Sequence, residues 1–349
     1  GAGGAFIATN GYSIGVLTPF TGGGEIIKQG NGTLTLSGLN DASAAYTGAT
    51  TVSAGTLAIA GTFGDPVGRA ARVTAGFSGT LKGTGRIAGS VLVDHGGMLR
   101  QEEGQTLAVD GDLAFASSGI FSVGLGAPGN AALVAVGGDV TLDGRLDIVD
   151  KGGFGTGIYR LMTYGGVLID RGMNIGTLPA GAQPGALSVQ TGAAGSVNLV
   201  NAAGLTLGFW DGAQPSGRSN GRIEGGSGTW SMDMASAGPN WTDQNGAING
   251  GYNPNPTYAV FSSTGGMVNV DNPGSGIGIT GMQFAADGYG LAGDGLVLQG
   301  ASGETVIRVG DGTAAGAAMT ATLGVALSGT SKLIKDDLGT LALSGVNTY

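Results

Sequence analysis

Apolar and polar residues alternate along this chain in short runs that glycine brackets on both sides. Gly32-Thr33-Leu34-Thr35-Leu36, Gly55-Thr56-Leu57-Ala58-Ile59 and Gly339-Thr340-Leu341-Ala342-Leu343 repeat one phrase: glycine, Thr-Leu, a small or polar residue, then a second apolar one. Successive side chains of an extended chain point to opposite faces, so the two apolar residues of each phrase share a face. Each phrase therefore predicts a short, half-buried strand. Glycines at or just beyond its ends, such as Gly38, Gly61 and Gly345, supply the positive φ that a sharp corner needs. No stretch places apolar residues at i, i+3, i+4 and i+7, so no helix competes with the strands.

Whole coils repeat as well. Leu107-Ala108-Val109, Leu113-Ala114-Phe115 and Gly119-Ile120-Phe121-Ser122-Val123 return as Val134-Ala135-Val136, Val140-Thr141-Leu142 and Gly144-Arg145-Leu146-Asp147-Ile148, with Leu107 and Val134 27 residues apart. A period in the twenties with several short strands per period is what one turn of a β-solenoid requires. The expected fold is all-β, a right-handed parallel β-helix and a piece of a longer rod. At roughly 22 residues per turn it would hold about 16 turns and reach on the order of 75 Å.

Composition sharpens this picture. Gly accounts for 75 of 349 residues and charged residues for only 11%, yet 41% hydrophobic content is too apolar for a solvated coil, so the chain folds. Glycine lacks the strict three-residue period of collagen. A net charge of −9 repels nucleic acid over most of the surface, which sets aside that class of partner. The absence of Cys excludes thiol catalysis, thiolate metal sites and disulfide staples. No run of 18 apolar residues spans a bilayer, and no basic-then-apolar leader opens the chain. Because the pattern is already under way at Gly1, the sequence reads as part of something longer.

Composition shifts once. Trp210, Trp230 and Trp241 fall within one window with Pro215 and Pro239, and Tyr252, Pro254, Pro256 and Tyr258 follow. The expected organisation is a β-helix block over 1–204, an aromatic-rich insertion or protruding subdomain over 205–260, and a second β-helix block over 261–349.

The segment from Ile27-Lys28-Gln29-Gly30-Asn31-Gly32-Thr33-Leu34-Thr35-Leu36-Ser37-Gly38-Leu39-Asn40 to Tyr46-Thr47-Gly48-Ala49-Thr50-Thr51-Val52-Ser53-Ala54-Gly55-Thr56-Leu57 resembles the passenger-associated transport repeat of type V autotransporters. This first copy covers 26–60 and carries an insertion, Asp41 to Ala44, before its Tyr. A second copy starts at Ile334-Lys335, 307 residues on from Ile27-Lys28, and runs to Val346-Asn347-Thr348-Tyr349, where the sequence ends inside it. Asn240-Trp241-Thr242, Ala259-Val260-Phe261 and Gly281-Met282-Gln283-Phe284 also have the texture of passenger sequence. The resemblance implies display on the surface of a Gram-negative bacterium and export through the protein's own C-terminal outer-membrane barrel. It also implies a role in attachment to host or neighbouring cells, through a surface protein, a glycan or self-association, with aggregation or biofilm as the outcome.

Candidate chemistry is sparse. His95 is the sole histidine; a Ser-His-Asp triad would have to use the adjacent Asp94, and neighbouring strand residues face opposite ways. The Gly-Asp-Ser-Gly segment of serine-protease passengers is absent. A polysaccharide-processing β-helix needs clustered carboxylates, and Asp143, Arg145 and Asp147, with Asp150 and Lys151 beyond, are the best such group. Alternating signs at that spacing more often form a solvated ladder. Gly225-Gly226-Ser227-Gly228-Thr229 ends in Trp230 where a Ca²⁺-binding nonapeptide needs Asp. Gly83-Thr84-Gly85-Arg86-Ile87-Ala88 imitates a dinucleotide fingerprint, but no helix pattern follows it. No catalytic, metal or cofactor site is therefore expected. The retained lead is ligand contact by Trp210, Trp230, Trp241, Tyr252 and Tyr258, because exposed Trp and Tyr clusters mark sugar and protein contacts. The alternative is that these rings form the core of the insertion. A further reading makes the segment a passive stalk for a functional head elsewhere.

Overall fold

The alternating phrases become vertical ladders of identical positions. In the computed structural model, which describes residues 3–272 and 276–349, Leu34 pairs in parallel register with Leu57, Leu57 with Leu81, Leu81 with Leu99, Leu99 with Phe121 and Phe121 with Leu146. All six are at most 1% exposed. Phe63, Ile87, Val109, Val136 and Tyr164 form a second ladder by the same parallel pairing. With strands about 4.8 Å apart, each apolar side chain packs on its own counterpart one turn away, and each fully buried Leu or Phe contributes about 1.5–3 kcal/mol. The fold is a parallel β-solenoid of about 14 turns. That is fewer than expected because the turns are longer, 23 residues from Leu34 to Leu57 and 27 from Val109 to Val136.

The 27-residue repeat is a true structural register: Leu107 pairs with Val134 and Leu113 with Val140. The third strand of the same turn steps by only 25, Phe121 to Leu146, because Ala116-Ser117-Ser118-Gly119 at one corner is replaced by Asp143-Gly144 at the next. Corners can lose residues without disturbing the ladder. They cannot easily lose glycine. Gly55 sits at φ +68°, and a Cβ there would meet the Gly30 and Gly32 carbonyl oxygens at 2.3 and 2.5 Å.

The chain divides into two compact units. The first comprises residues up to Gly126, Ala132–Phe154 and Leu161–Pro184; the second comprises Ala127–Ala131, Gly155–Arg160 and Gly185–Tyr349. Parallel stacking runs through the first. The second contains two parallel ladders as well, one linking Val268, Leu291, Leu323 and Leu343, the other Phe261, Phe284 and Val309. It also contains the chain's antiparallel pairings among the described residues: Leu187–Gln190 with Ser196–Asn201, and a meander of Leu207–Trp210, Trp241–Thr242 and Asn249–Gly250. The division between units falls at Pro184/Gly185, before the composition shift at 204. Residues 205–260 share one hydrophobic cluster with residues as far along as Leu327. A single helical turn, Met234–Ala237, interrupts the strands, with Asp233 accepting a hydrogen bond from the Ala235 N–H at its start.

Candidate ligand-contact site

The five aromatic residues singled out from the sequence lie inside the second unit. Trp210 and Trp230 are 0% exposed, Trp241 3%, Tyr252 2% and Tyr258 5%. As an exposed patch the expectation does not hold. Trp230 has ring neighbours on several sides, Trp241 and Tyr252 each at 4.9 Å between centroids and Phe261 at 5.9 Å, in edge-on or tilted arrangements that suit aromatic quadrupoles. Trp210 packs at 5.3 Å and 72° on Trp241 and donates its indole N–H to the Gly226 carbonyl at 2.7 Å. The indole N–H groups of Trp230 and Trp241 have no acceptor. Tyr258 belongs to a neighbouring cluster with Phe209, Ile223 and Val260. Burial pushes the Tyr252 and Tyr258 phenols well above their ordinary pKa, and the Tyr252 hydroxyl lies 2.9 Å from both the Thr257 and Gly278 carbonyls.

Two of the five reach a surface opening. Trp241 and Tyr252 border a half-open cavity of about 260 Å³ whose rim includes Thr206, Ile248, Gly250 and Asn253. The antiparallel meander makes this opening. Strand Trp241–Thr242 turns back as Asn249–Gly250 because Asp243 organises the loop between them, accepting from the Asn245 N–H at 2.7 Å and the Ile248 N–H at 2.8 Å. The Thr242 hydroxyl donates to the Ile248 carbonyl across the same loop.

Behind the meander lies a carboxyl pair that sequence reading passed over. Asp211 is 2% exposed and accepts from the Asn249 side-chain amide and from the Glu224 N–H, each at 2.8 Å. Burial raises its carboxyl to about 6, with the Glu224 carboxylate adding to the rise. Asp211 thereby ties the returning strand to the loop that carries Glu224. A carboxylate immediately after a buried tryptophan was the available signal.

Lys28 is a second omission. Its ammonium is fully buried and donates to the carbonyls of Gln29 (2.9 Å), Gly30 (2.8 Å) and Ala54 (2.9 Å), the last on the following turn. Burial lowers its pKa. In the second repeat Lys335 donates to the Asp337 carbonyl, and Asp337 occupies the place of Gly30 with φ +69° against +72°. A lysine kept at one register position of both repeats, next to an apolar residue, was the clue.

The remaining candidates resolve as local structure. Asp94 and His95 sit on a turn, not a strand, with His95 at φ +49°, so the expected opposition of faces fails and Asp94 Oδ2 lies 3.3 Å from His95 Nε2. The same carboxylate accepts from the Ser118 hydroxyl at 3.2 Å, which leaves that serine bonded to the acid and not to the imidazole. The His95 ring stacks on Phe77. Asp147 holds the Thr177 N–H at 2.8 Å and pairs with Arg145 at 3.2 Å, Asp143 accepts from the Gly144 N–H, and Asp150 from the Gly152 N–H. Lys151 reaches Glu102 at 3.2 Å. The Gly83–Gly85 segment leads into strand Arg86–Val93, not a helix. Among the described residues no group of three His, Asp or Glu is placed to hold a metal ion.

Stacked parallel turns built from glycine-bracketed strands, with transport repeats among them, define the passenger class of autotransporters. Residues 26–59 and 333–349 match the passenger-associated-transport-repeat family, and the chain is autotransporter passenger sequence. Over 345 residues, 94% of its length, it is 42% identical to the Adhesin BmaC autotransporter of Brucella suis biovar 1 (strain 1330). The chain spans about a tenth of that curated relative, the match covering 10% of it.

Proposed function

We propose that this segment is a structural and adhesive stretch of a passenger displayed on the surface of a Gram-negative bacterium, exported through the protein's own C-terminal barrel. It attaches the cell to host or neighbouring-cell surfaces, and it does so without catalysis. The observation that carries this reading is the 42% identity, sustained over 94% of the chain, to a passenger named as an adhesin. The fold supports it, since stacked turns present many similar corners to a partner, and many weak contacts in parallel give strong attachment.

The direct test displays residues 1–349 on a non-adherent Gram-negative host and measures retention on matrix-coated glass, on cultured cells and on sibling bacteria. Retention above that of a host displaying an unrelated solenoid supports adhesion. Retention equal to that control on all three surfaces refutes it and leaves the stalk reading. Catalysis is tested separately by incubating the purified segment with bacterial and host polysaccharides; chain shortening that disappears in Asp147→Asn would overturn the non-enzymatic reading.

A further inference from the structure

We propose that the cavity bordered by Trp241 and Tyr252 is a subsite for one uncharged sugar ring, in the pyranose size class. This deepens the adhesive reading and rests on it for its biological sense.

Size comes first. At about 260 Å³ the cavity falls just below the roughly 300 Å³ at which pockets for drug-sized ligands begin, which suits a single six-membered ring. Its apolar side consists of Leu207, Trp241, Ile248 and Tyr252. Charge is the next discriminator. Asp243 is the only ionisable acid or base in the lining, and both of its oxygens are already engaged by the backbone N–H groups of Asn245, Ala247 and Ile248. A charged ligand would lose hydration and gain no counter-charge.

The polar groups that remain select further. The hydroxyls of Thr242, Thr257 and Tyr252 are turned to the carbonyls of Ile248, Pro254, and Thr257 and Gly278. The Thr206 hydroxyl and the Asn253 amide lie exposed on the rim, free to bond a ligand. A wholly apolar guest would cover these two groups without satisfying them, at about 1–3 kcal/mol each. A pyranose has one C–H face for the aromatic side and hydroxyls around its edge for Thr206 and Asn253.

Gly250 keeps the mouth open. A Cβ there would meet nothing within 4 Å, and the backbone is not left-handed, so a side chain fits the fold and projects into free space at the cavity. That makes Gly250→Val a block that spares the core.

The test uses the purified chain with methyl glycosides of glucose, galactose, mannose and N-acetylglucosamine at millimolar concentration, read by saturation-transfer NMR. At least one glycoside receives saturation; Gly250→Val weakens that binding at least tenfold, and Thr206→Val and Asn253→Ala each weaken it several-fold, with urea midpoints unchanged. No saturation of any of the four overturns the proposal, as does wild-type binding by Gly250→Val. Binding of N-acetylphenylalanine amide in place of the sugars, lost in Gly250→Val, overturns the ligand class in favour of a peptide side chain. Surface retention of displayed cells separates the two readings: retention unchanged by Gly250→Val keeps adhesion and removes this cavity as its seat.

Discussion

Two tryptophans in one cluster differ in a single hydrogen bond, and replacing each with phenylalanine isolates what that bond is worth. Trp210 and Trp230 are both fully buried among aromatic rings, but Trp210 donates to the Gly226 carbonyl at 2.7 Å and Trp230 donates to nothing. Going from indole to phenyl removes similar apolar volume at both sites, about 1–2 kcal/mol of packing. At Trp210 it also strands the Gly226 carbonyl, adding about 1–3 kcal/mol; at Trp230 it removes an unsatisfied donor whose burial already costs that much. Trp210→Phe should therefore destabilise by about 2–4 kcal/mol, while Trp230→Phe comes out near zero. Trp230→Ala is the control for burial itself and should cost about 3–5 kcal/mol, since no smaller side chain refills a site ringed by Trp241, Tyr252 and Phe261. Urea unfolding followed by tryptophan emission reads the second unit alone, because all three tryptophans lie there. Equal losses for the two Phe variants would refute the hydrogen-bond argument. A Trp230→Ala variant within about 1 kcal/mol of wild type would refute the core assignment.

Lys28→Met should destabilise the first unit by about 2–4 kcal/mol, because the Ala54 carbonyl loses its charged donor; thermal melting by far-ultraviolet circular dichroism checks it, and an unchanged midpoint would show the ammonium to be dispensable. Asp211 gives a pH signature. Its folded-state value of about 6 lies above the unfolded 3.8, so its contribution is full below pH 4 and is lost as pH rises through 6, at most about 3 kcal/mol shared with Glu224. Urea midpoints from tryptophan emission should thus fall between pH 4 and 6.5 in wild type and flatten in Asp211→Asn; a wild-type midpoint that rises over that range contradicts the assignment.

How far the sequence could be read depended on whether a residue's environment is set by its own turn or by distant ones. Leu34, Leu57 and their counterparts were legible because alternation alone decides which face of a short strand is buried, and the 27-residue copy fixed which residues stack. The corner between Leu142 and Arg145 shows why turn number was overestimated: corners vary in length freely, so a mean period is a poor ruler. Trp210, Trp230 and Trp241 were misplaced as surface groups because their burial depends on an antiparallel meander that no alternation announces. Lys28 escaped notice for the opposite reason, its polarity hiding an interior position that exists only where two turns present three carbonyls together. Asp94 and His95 met because their segment is a turn, where the rule of opposed faces lapses.

These cases share a cause that bears on where recognition can occur. In a parallel solenoid every interior position is filled by its own counterpart from the turns on either side, as Leu81 is by Leu57 and Leu99, so an uninterrupted ladder leaves no room for a guest. An enclosed site can arise only where that stacking is broken. Among the described residues the meander of Leu207–Trp210, Trp241–Thr242 and Asn249–Gly250 is such a break: it turns one strand back on itself, places Trp241 at the edge of its own cluster, and is pinned from behind by Asp211 through Asn249. The cavity follows from the break, since a parallel turn continuing past Trp241 would have stacked a further apolar side chain where the opening now lies. Lengthening that break by insertion at the exposed Ala247–Ile248 turn should change ligand contact without touching the ladders, whereas the same insertion inside Leu81 or Leu99 strands should unfold the first unit; equal tolerance at the two places, measured by urea midpoints, would show that stacking does not govern where this fold admits a ligand.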